Sequence, residues 1–458
     1  MHQTSSVKRF PFVITDKVVY AVDGVSKFML HVVMDLEGSL QPTLLAQAVE
    51  LTLRQTPILR SVARLRVFAS YWEAQDGIAR ESQLQVVDVS HEPEPEQAAH
   101  SVMESYINDY IDITRTLPMR FLLIQLGPQR WWFVAKVHHA LMDPLAITYV
   151  VQDIQMFYQR LLNGESVVVS PEPLADRGRW PVLKSVPVSL WLRVMGVGWS
   201  RLRRHRREGR KGRRLHVNFS APALHSDTIA YRTLRWSGPA YLTARARAKS
   251  LGVTFNDLVI AALLQAVHKW NGGGSNANDF YTIVMPVDMR RYVRAQGRMP
   301  RILSNYVGGT LITVSVGQLT TFEETARHIA RETEFIRQHH VGLRHNLLLP
   351  FLLIAPPQWL RRTVQRIHAR HPERLAPTAI VAYMGKLERL FAPFPGCQIR
   401  GIEGIGTGFY PVGFDVSVFA YGKEYVATLT YRKGACTEQE MDRFISLFWQ
   451  EVISEERG

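Results

Sequence analysis

Cysteine is scarce in this chain of 458 residues: Cys397 and Cys436 are the only two. Two thiols close at most one disulfide and cannot build a four-thiolate zinc site, so a cysteine-stapled secreted scaffold is excluded and a reducing cytoplasm is the expected setting. Long apolar runs are missing as well. The opening MHQTSSVKRFPFVITDKV lacks the apolar stretch of a signal peptide, and the greasy run from Leu347 to Ala355 is broken by Pro350. That run is far shorter than the ~20 residues that cross a bilayer. Neither a signal peptide nor a membrane span is therefore expected. The chain also has no tandem repeat of short period and no GxSxG turn of a serine hydrolase. Acids are nearly absent from one segment. Between Arg201 and Arg214 nine Lys/Arg meet one acid, Glu208, so +8 of the net +15 is local and +7 is left for the rest of the chain.

What is present points to a folded enzyme-sized protein. A hydrophobic content of 46% with 10% aromatics builds large cores and excludes a disordered or collagen-like chain. At roughly 100 to 200 residues per domain, the length favours two large lobes or three small domains. FMLHVVMDL (28–36) reads as a strand, Pro42 opens a helix through LLAQAVELTLRQ, and further strands are expected at 63–69 and 84–89. The segments 119–126 and 131–137, separated by Gly127-Pro128, read as a hairpin that runs into HHALMDP, followed by a helix to about Leu162.

From Val167 to Pro222 the pattern dissolves into proline, glycine and arginine around one amphipathic stretch, Val186 to Trp199. A strand at 231–236 and a helix at 255–270 with Thr254 and Asp257 at cap spacing follow. Strands at 280–286 and 309–316, a helix after Thr321, a hairpin of FDVSVFAYG with EYVATLTYRKG, and a last helix after Thr437 complete the pattern. The expected division is a first lobe at 1–175, a basic crossover at 176–225 and a second lobe at 226–458.

The sharpest constellation is His138-His139-Ala140-Leu141-Met142-Asp143 at a strand end. By composition, two histidines followed four positions on by an acid should occur only about 0.05 times in such a chain. A neutral imidazole takes a proton from a hydroxyl or amine near neutral pH if a dry site holds it in one tautomer. The plainer alternative packs one histidine in the core, exposes the other and leaves Asp143 as a helix cap. Adjacent histidines with no third ligand at helix spacing make a poor metal site, and none is expected.

HHALMD resembles the HHxxxDG signature of the condensation-domain and chloramphenicol-acetyltransferase-like acyltransferase superfamily, which includes wax ester synthases, polyketide-associated acyltransferases and alcohol acetyltransferases. Other segments resemble family landmarks in family order: LLAQAVELTLRQTPILRSVARL, MPVDMRR, SNYVGG, VAYMGKLE and FAYGKEYVATLTYRKGACTEQEMDRFISLF. Two positions depart from the pattern: Pro144 replaces the glycine after the aspartate, and Tyr383-Met384 replaces an asparagine before Gly385.

The resemblance implies an α/β (α+β) fold of two chloramphenicol-acetyltransferase-like lobes, mixed sheets flanked by helices and an active-site tunnel at the lobe junction. It implies a stand-alone acyltransferase with His139 as general base, acting on a hydroxyl or amine that attacks an acyl thioester without a covalent acyl-enzyme. His138 and Asp143 join His139 in the catalytic motif, with His138 expected to orient the loop. Arg290 is the implied partner of Asp143, and Asn305 holds the loops or the oxyanion. No tightly bound cofactor is implied; acyl-CoA or a phosphopantetheinyl carrier protein is the co-substrate, in secondary metabolism or lipid modification.

The alternative, kept open by Pro144, is a silent member of the fold that binds a lipid, carrier protein or partner. For residues 186–214 the readings are a solvated linker, an anionic membrane surface in a cytoplasmic or peripheral membrane protein, or an acidic carrier protein. Nucleic acid is not expected, because no recognised binding module surrounds the cluster.

Overall fold

In the computed structural model the described residues are 8–67, 69–75, 83–220, 228–273, 276–293, 300–344, 355–371, 376–391, 393–408 and 413–454. The run Leu347 to Ile354 and the end of the strand expected at 63–69 fall partly or wholly outside them. The first half contains β1 (Arg9–Pro11), α1 (Ile14–Asp23), β2 (Met29–Gly38), α2 (Pro42–Gln55), β3 (Ser61–Arg64), β4 (Tyr71–Ala74), β5 (Leu84–Asp88), α3 (Pro95–Asn108), β6 (Met119–Gly127), β7 (Arg130–His138) and α4 (Pro144–Leu162). Next come α5 (Trp180–Ser185), α6 (Val188–Lys211), β8 (Ile229–Ser237), α7 (Gly238–Leu251), α8 (Phe255–Trp270), β9 (Phe280–Asp288), β10 (Val307–Ser315) and α9 (Phe322–Gln338). The chain ends with α10 (Pro357–Arg370), β11 (Ala379–Lys386), β12 (Cys397–Ile405), β13 (Phe414–Tyr421), β14 (Glu424–Arg432) and α11 (Glu438–Ile453).

The fold is mixed α/β with two lobes. A five-stranded sheet ordered β12-β2-β7-β6-β5 forms the first, and a six-stranded sheet ordered β10-β9-β11-β13-β14-β8 forms the second. Strand β2 is apolar on both faces because both are covered. Val32, Met34 and Leu36 enter the core that holds α2 and α4 residues, while Val33 joins Ala99 and Met103 of α3. In the second lobe α8 is buried continuously from Phe255 to Val267, as a helix apolar on every side must be. Its Thr254/Asp257 capping box forms as expected. The hairpins β6/β7 and β13/β14 also form, both antiparallel.

Two expectations need correction. Strand β12, inside the segment assigned to the second lobe, pairs antiparallel with β2 of the first sheet, from Cys397 opposite Gly38 to Ile405 opposite His31. A boundary at 176–225 therefore does not describe this strand, which crosses back because the edge of β2 offers unpaired backbone groups. The basic crossover is also more than a linker. It carries α5 and the 24-residue α6, and buries Val182, Val186 and Val194 against Met289, Ile302, Tyr306 and Leu343.

Candidate active site

The motif sits where β7 ends. The backbone amide of His139 donates to Phe28 O at 2.8 Å, and the chain then turns into α4. Asp143 is the N-cap of that helix: its Oδ1 accepts the Ala146 amide at 3.0 Å, and Pro144 takes the first turn, where no amide is needed. Asp143 is at once a helix cap and one half of an ion pair. Arg290 Nη1 and Nη2 donate to Oδ2 and Oδ1 of Asp143 at 2.9 and 3.0 Å, both side chains being fully buried. The Tyr306 amide adds a contact to Oδ2 at 2.7 Å.

Burial alone would lower the Arg290 pKa, but the Asp143 charge beside it outweighs that and holds it above the ordinary value. Arg290 Nη2 also donates to the carbonyls of Ile302 and Ser304 at 2.9 and 3.0 Å. The Asp143 carboxylate is thus engaged by Arg290 and by the amides of Ala146 and Tyr306. It positions the loop, as does Arg290.

His138 is likewise enclosed by protein groups. It is fully buried, and the Ala140 amide donates to its Nδ1 at 3.1 Å, so the ring proton sits on Nε2, 3.3 Å from Asp23 Oδ1. Asp23 gathers further donors at the end of α1: Tyr110 Oη at 2.6 Å, Arg361 Nη1 at 2.8 Å and the Phe28 amide at 3.0 Å. Burial pushes the Asp23 carboxyl up, yet the contacts with His138 and Tyr110 prevail and leave it well below the usual carboxylate range.

His139 holds its ring the other way round. Its Nδ1 lies 2.9 Å from Met142 O, and a carbonyl only accepts, so Nδ1 carries the proton and Nε2 presents a lone pair. The half-buried ring lies against Phe28, with centroids 6.1 Å apart. Burial lowers its pKa below the ordinary 6.5, which favours the neutral imidazole. Since the folded-state pKa is depressed, the unfolded chain takes up this proton first, and the group costs stability progressively as pH falls below 6.5. We expect the acid limb of kcat/KM to lie below pH 6.5; a rate less than half maximal at that pH would contradict this.

Asn305 reaches the same loop from the second lobe. Its Nδ2 is 2.6 Å from His139 O and 3.3 Å from Ala140 O, and two carbonyls require the amide nitrogen there. Its donors are thereby used, which assigns it to holding the loop and leaves none for an oxyanion. Asn305→Asp would set a carboxylate against both carbonyls. We expect a loss of about 1–3 kcal/mol in thermal unfolding together with a fall in activity, whereas an unchanged melting curve would contradict this role. The neighbouring Gly308 is needed sterically, because a Cβ there would lie 2.5 Å from Gly342 O. In the departing YMG segment, Gly385 takes φ +78° at the bulge between β11 and β13.

Sequence reasoning missed Asp23 and Arg177. Arg177, in the expected linker, is almost fully buried and donates to Leu141 O at 2.7 Å, Leu303 O at 3.0 Å and Asp16 Oδ2 at 3.0 Å. One guanidinium thereby ties the motif loop to α1 and to the segment bearing Asn305. No local motif marks it; its only signal is an arginine cluster in a region of weak periodicity.

Residues 22–176 match the Condensation domain family model. The chain is 22% identical over 298 residues to a dimodular nonribosomal peptide synthase of Bacillus subtilis, which is 60% of this chain and 11% of that protein. It thus spans about a tenth of that relative's length. Its structure is similar to that of a trichothecene 15-O-acetyltransferase from Fusarium sporotrichioides, with a TM-score of 0.70 at 10% identity over 97% of this chain and 94% of that one. The first condensation domain of the calcium-dependent antibiotic synthetase gives 0.67 at 14% identity over 98% and 97%. The fold is shared with these condensation-domain and acetyltransferase structures. Within this condensation-domain fold, Asp143, Arg290, Asn305 and His139 meet at the junction, with two drawn from each half of the chain.

Proposed function

We propose that this chain is an acyltransferase that moves an acyl group from a CoA or carrier-protein thioester to a hydroxyl or amine, forming an ester or amide. The carrying observation is the His139 tautomer: Nδ1–H is engaged by Met142 O, leaving the Nε2 lone pair free in a desolvated site. Nε2 takes the proton as the acceptor oxygen or nitrogen bonds to the thioester carbonyl carbon. The tetrahedral intermediate then expels the thiolate as the C–S bond breaks, and the imidazolium returns its proton to that sulfur. Neither thiol of the chain enters this scheme, so no covalent acyl-enzyme forms. Pro144 displaces none of the hydrogen bonds around Asp143, and no observation favours a silent binder. The proposal includes a cytoplasmic setting, consistent with Cys397 and Cys436 as buried free thiols.

The test is intact-mass product analysis with a panel of acyl-CoAs and acyl-carrier proteins against pooled alcohols and amines. Acylated product that forms with the wild-type chain and is lost with His139→Ala supports the reading. Absence of product across the whole panel would overturn it.

A further inference from the structure

We propose that α6 is an interfacial helix that lays an exposed apolar stripe on an anionic lipid surface. One side of the helix is occupied by protein. Val194 is buried beside Met289, Ile302, Tyr306 and Leu343, and Arg201 pairs with Glu332 at 2.8 Å and lies over the Phe335 ring. Among the described residues the other side is open. Val188, Leu192, Met195 and Trp199 recur at steps of four, three and four, which places them in one line along an α-helix. They are 73%, 60%, 41% and 59% exposed.

Single exposed apolar residues are ordinary on a folded chain, whereas four in line form a contact surface. Cations lie beside the stripe: Arg193, Arg203, Arg207 and Lys211 are exposed on the same helix, and residues 201–214 carry +8 in the sequence. On α5, Trp180 is exposed with Lys184 Nζ 5.5 Å from its ring.

Charge alone would suit either an acidic protein or an anionic bilayer. The apolar stripe decides for the bilayer, because four large side chains on a convex helix need an apolar medium to enter, and lipid supplies that medium and negative charge together. Among the described residues no single helix is long and apolar enough to cross a membrane, so the contact is one of lying on the surface. The buried side of α6 packs on Ile302 and Tyr306, whose backbones hold Arg290 and Asp143. The lipid-facing helix is thus built onto the segments that shape the motif loop.

The inference goes beyond acyl transfer and does not rest on it, so the test reads binding alone. The full chain is sedimented with vesicles of phosphatidylcholine containing about one-third phosphatidylglycerol, and with pure phosphatidylcholine, at low salt. Binding is expected to the anionic vesicles. Leu192→Ser with Trp199→Ser should weaken it about tenfold or more, and Arg203→Ser with Arg207→Ser, or added salt, should weaken it in the same direction.

All four positions are exposed, so the melting curve should not move. Val188→Ser with Met195→Ser reads the same stripe independently if the first variant fails to fold. Absence of vesicle binding at low salt, or binding that persists in both stripe variants, would overturn the proposal. Capture of an acidic carrier protein with no vesicle binding would do so too.

Discussion

Replacing His139 with alanine is expected to lower acyl transfer about 10²- to 10⁴-fold with no change in the melting curve. The half-buried ring contacts Met142 O through Nδ1, so its removal strips a base and leaves the loop's other holders in place. Those holders are the Asn305 contacts to the carbonyls of His139 and Ala140 and the Arg177 contact to Leu141 O. Steady-state kinetics with whichever thioester is turned over would check it. A rate within a few-fold of wild type would remove His139 from the mechanism.

Breaking the Asp143–Arg290 pair should act on fold and activity together. With both side chains fully buried, removal of Arg290 strands the Asp143 charge, while removal of Asp143 leaves Arg290 only its 3.1 Å contact with Asp288 Oδ1, and we expect a loss of up to about 3–5 kcal/mol in chemical denaturation along with most of the activity. Asp143→Asn separates the charge from the cap, because asparagine can still accept the Ala146 amide while it no longer neutralises Arg290. The combined Asp143→Ala, Arg290→Ala variant should be no worse than the poorer single one, since the second change removes the stranded charge. Strictly additive losses would argue against a coupled pair.

How far the site was legible varies by residue. Short, nearly continuous apolar runs such as 28–36 and 131–137, and helices with strong caps such as 255–270 after Thr254, could be placed because their local signals agree with the final packing. Helix α3 could not, since its start reads as a polar Pro/Glu loop and its buried side is only Ala99, Met103, Tyr106 and Ile107. Helix α7 is weaker still. It buries Ala244, Arg247 and Ala248, with the Arg247 guanidinium 3.6 Å from the Phe322 ring centroid, and no hydropathy pattern announces an arginine stacked on a phenylalanine. Strand β12 carries Gly401 and Gly404, poor strand formers that persist through pairing with β2.

By itself the sequence determined a mixture of strands and helices, the motif at the end of a strand, and the concentration of positive charge after Trp199. Those properties rest on side-chain periodicity and composition, which are local. The Asp143–Arg290 pairing came from family resemblance, since 147 residues separate the partners and no spacing links them. Only the tertiary structure decided which nitrogen of His139 is free, that Asn305 uses its donors on the loop, that Arg177 and Asp23 hold the motif, and that α6 keeps an apolar stripe in the open. Each of these depends on where a distant carbonyl, carboxylate or core face lies. A hydrogen bond reaches only about 3 Å, so it constrains a residue only after folding has brought its partner near.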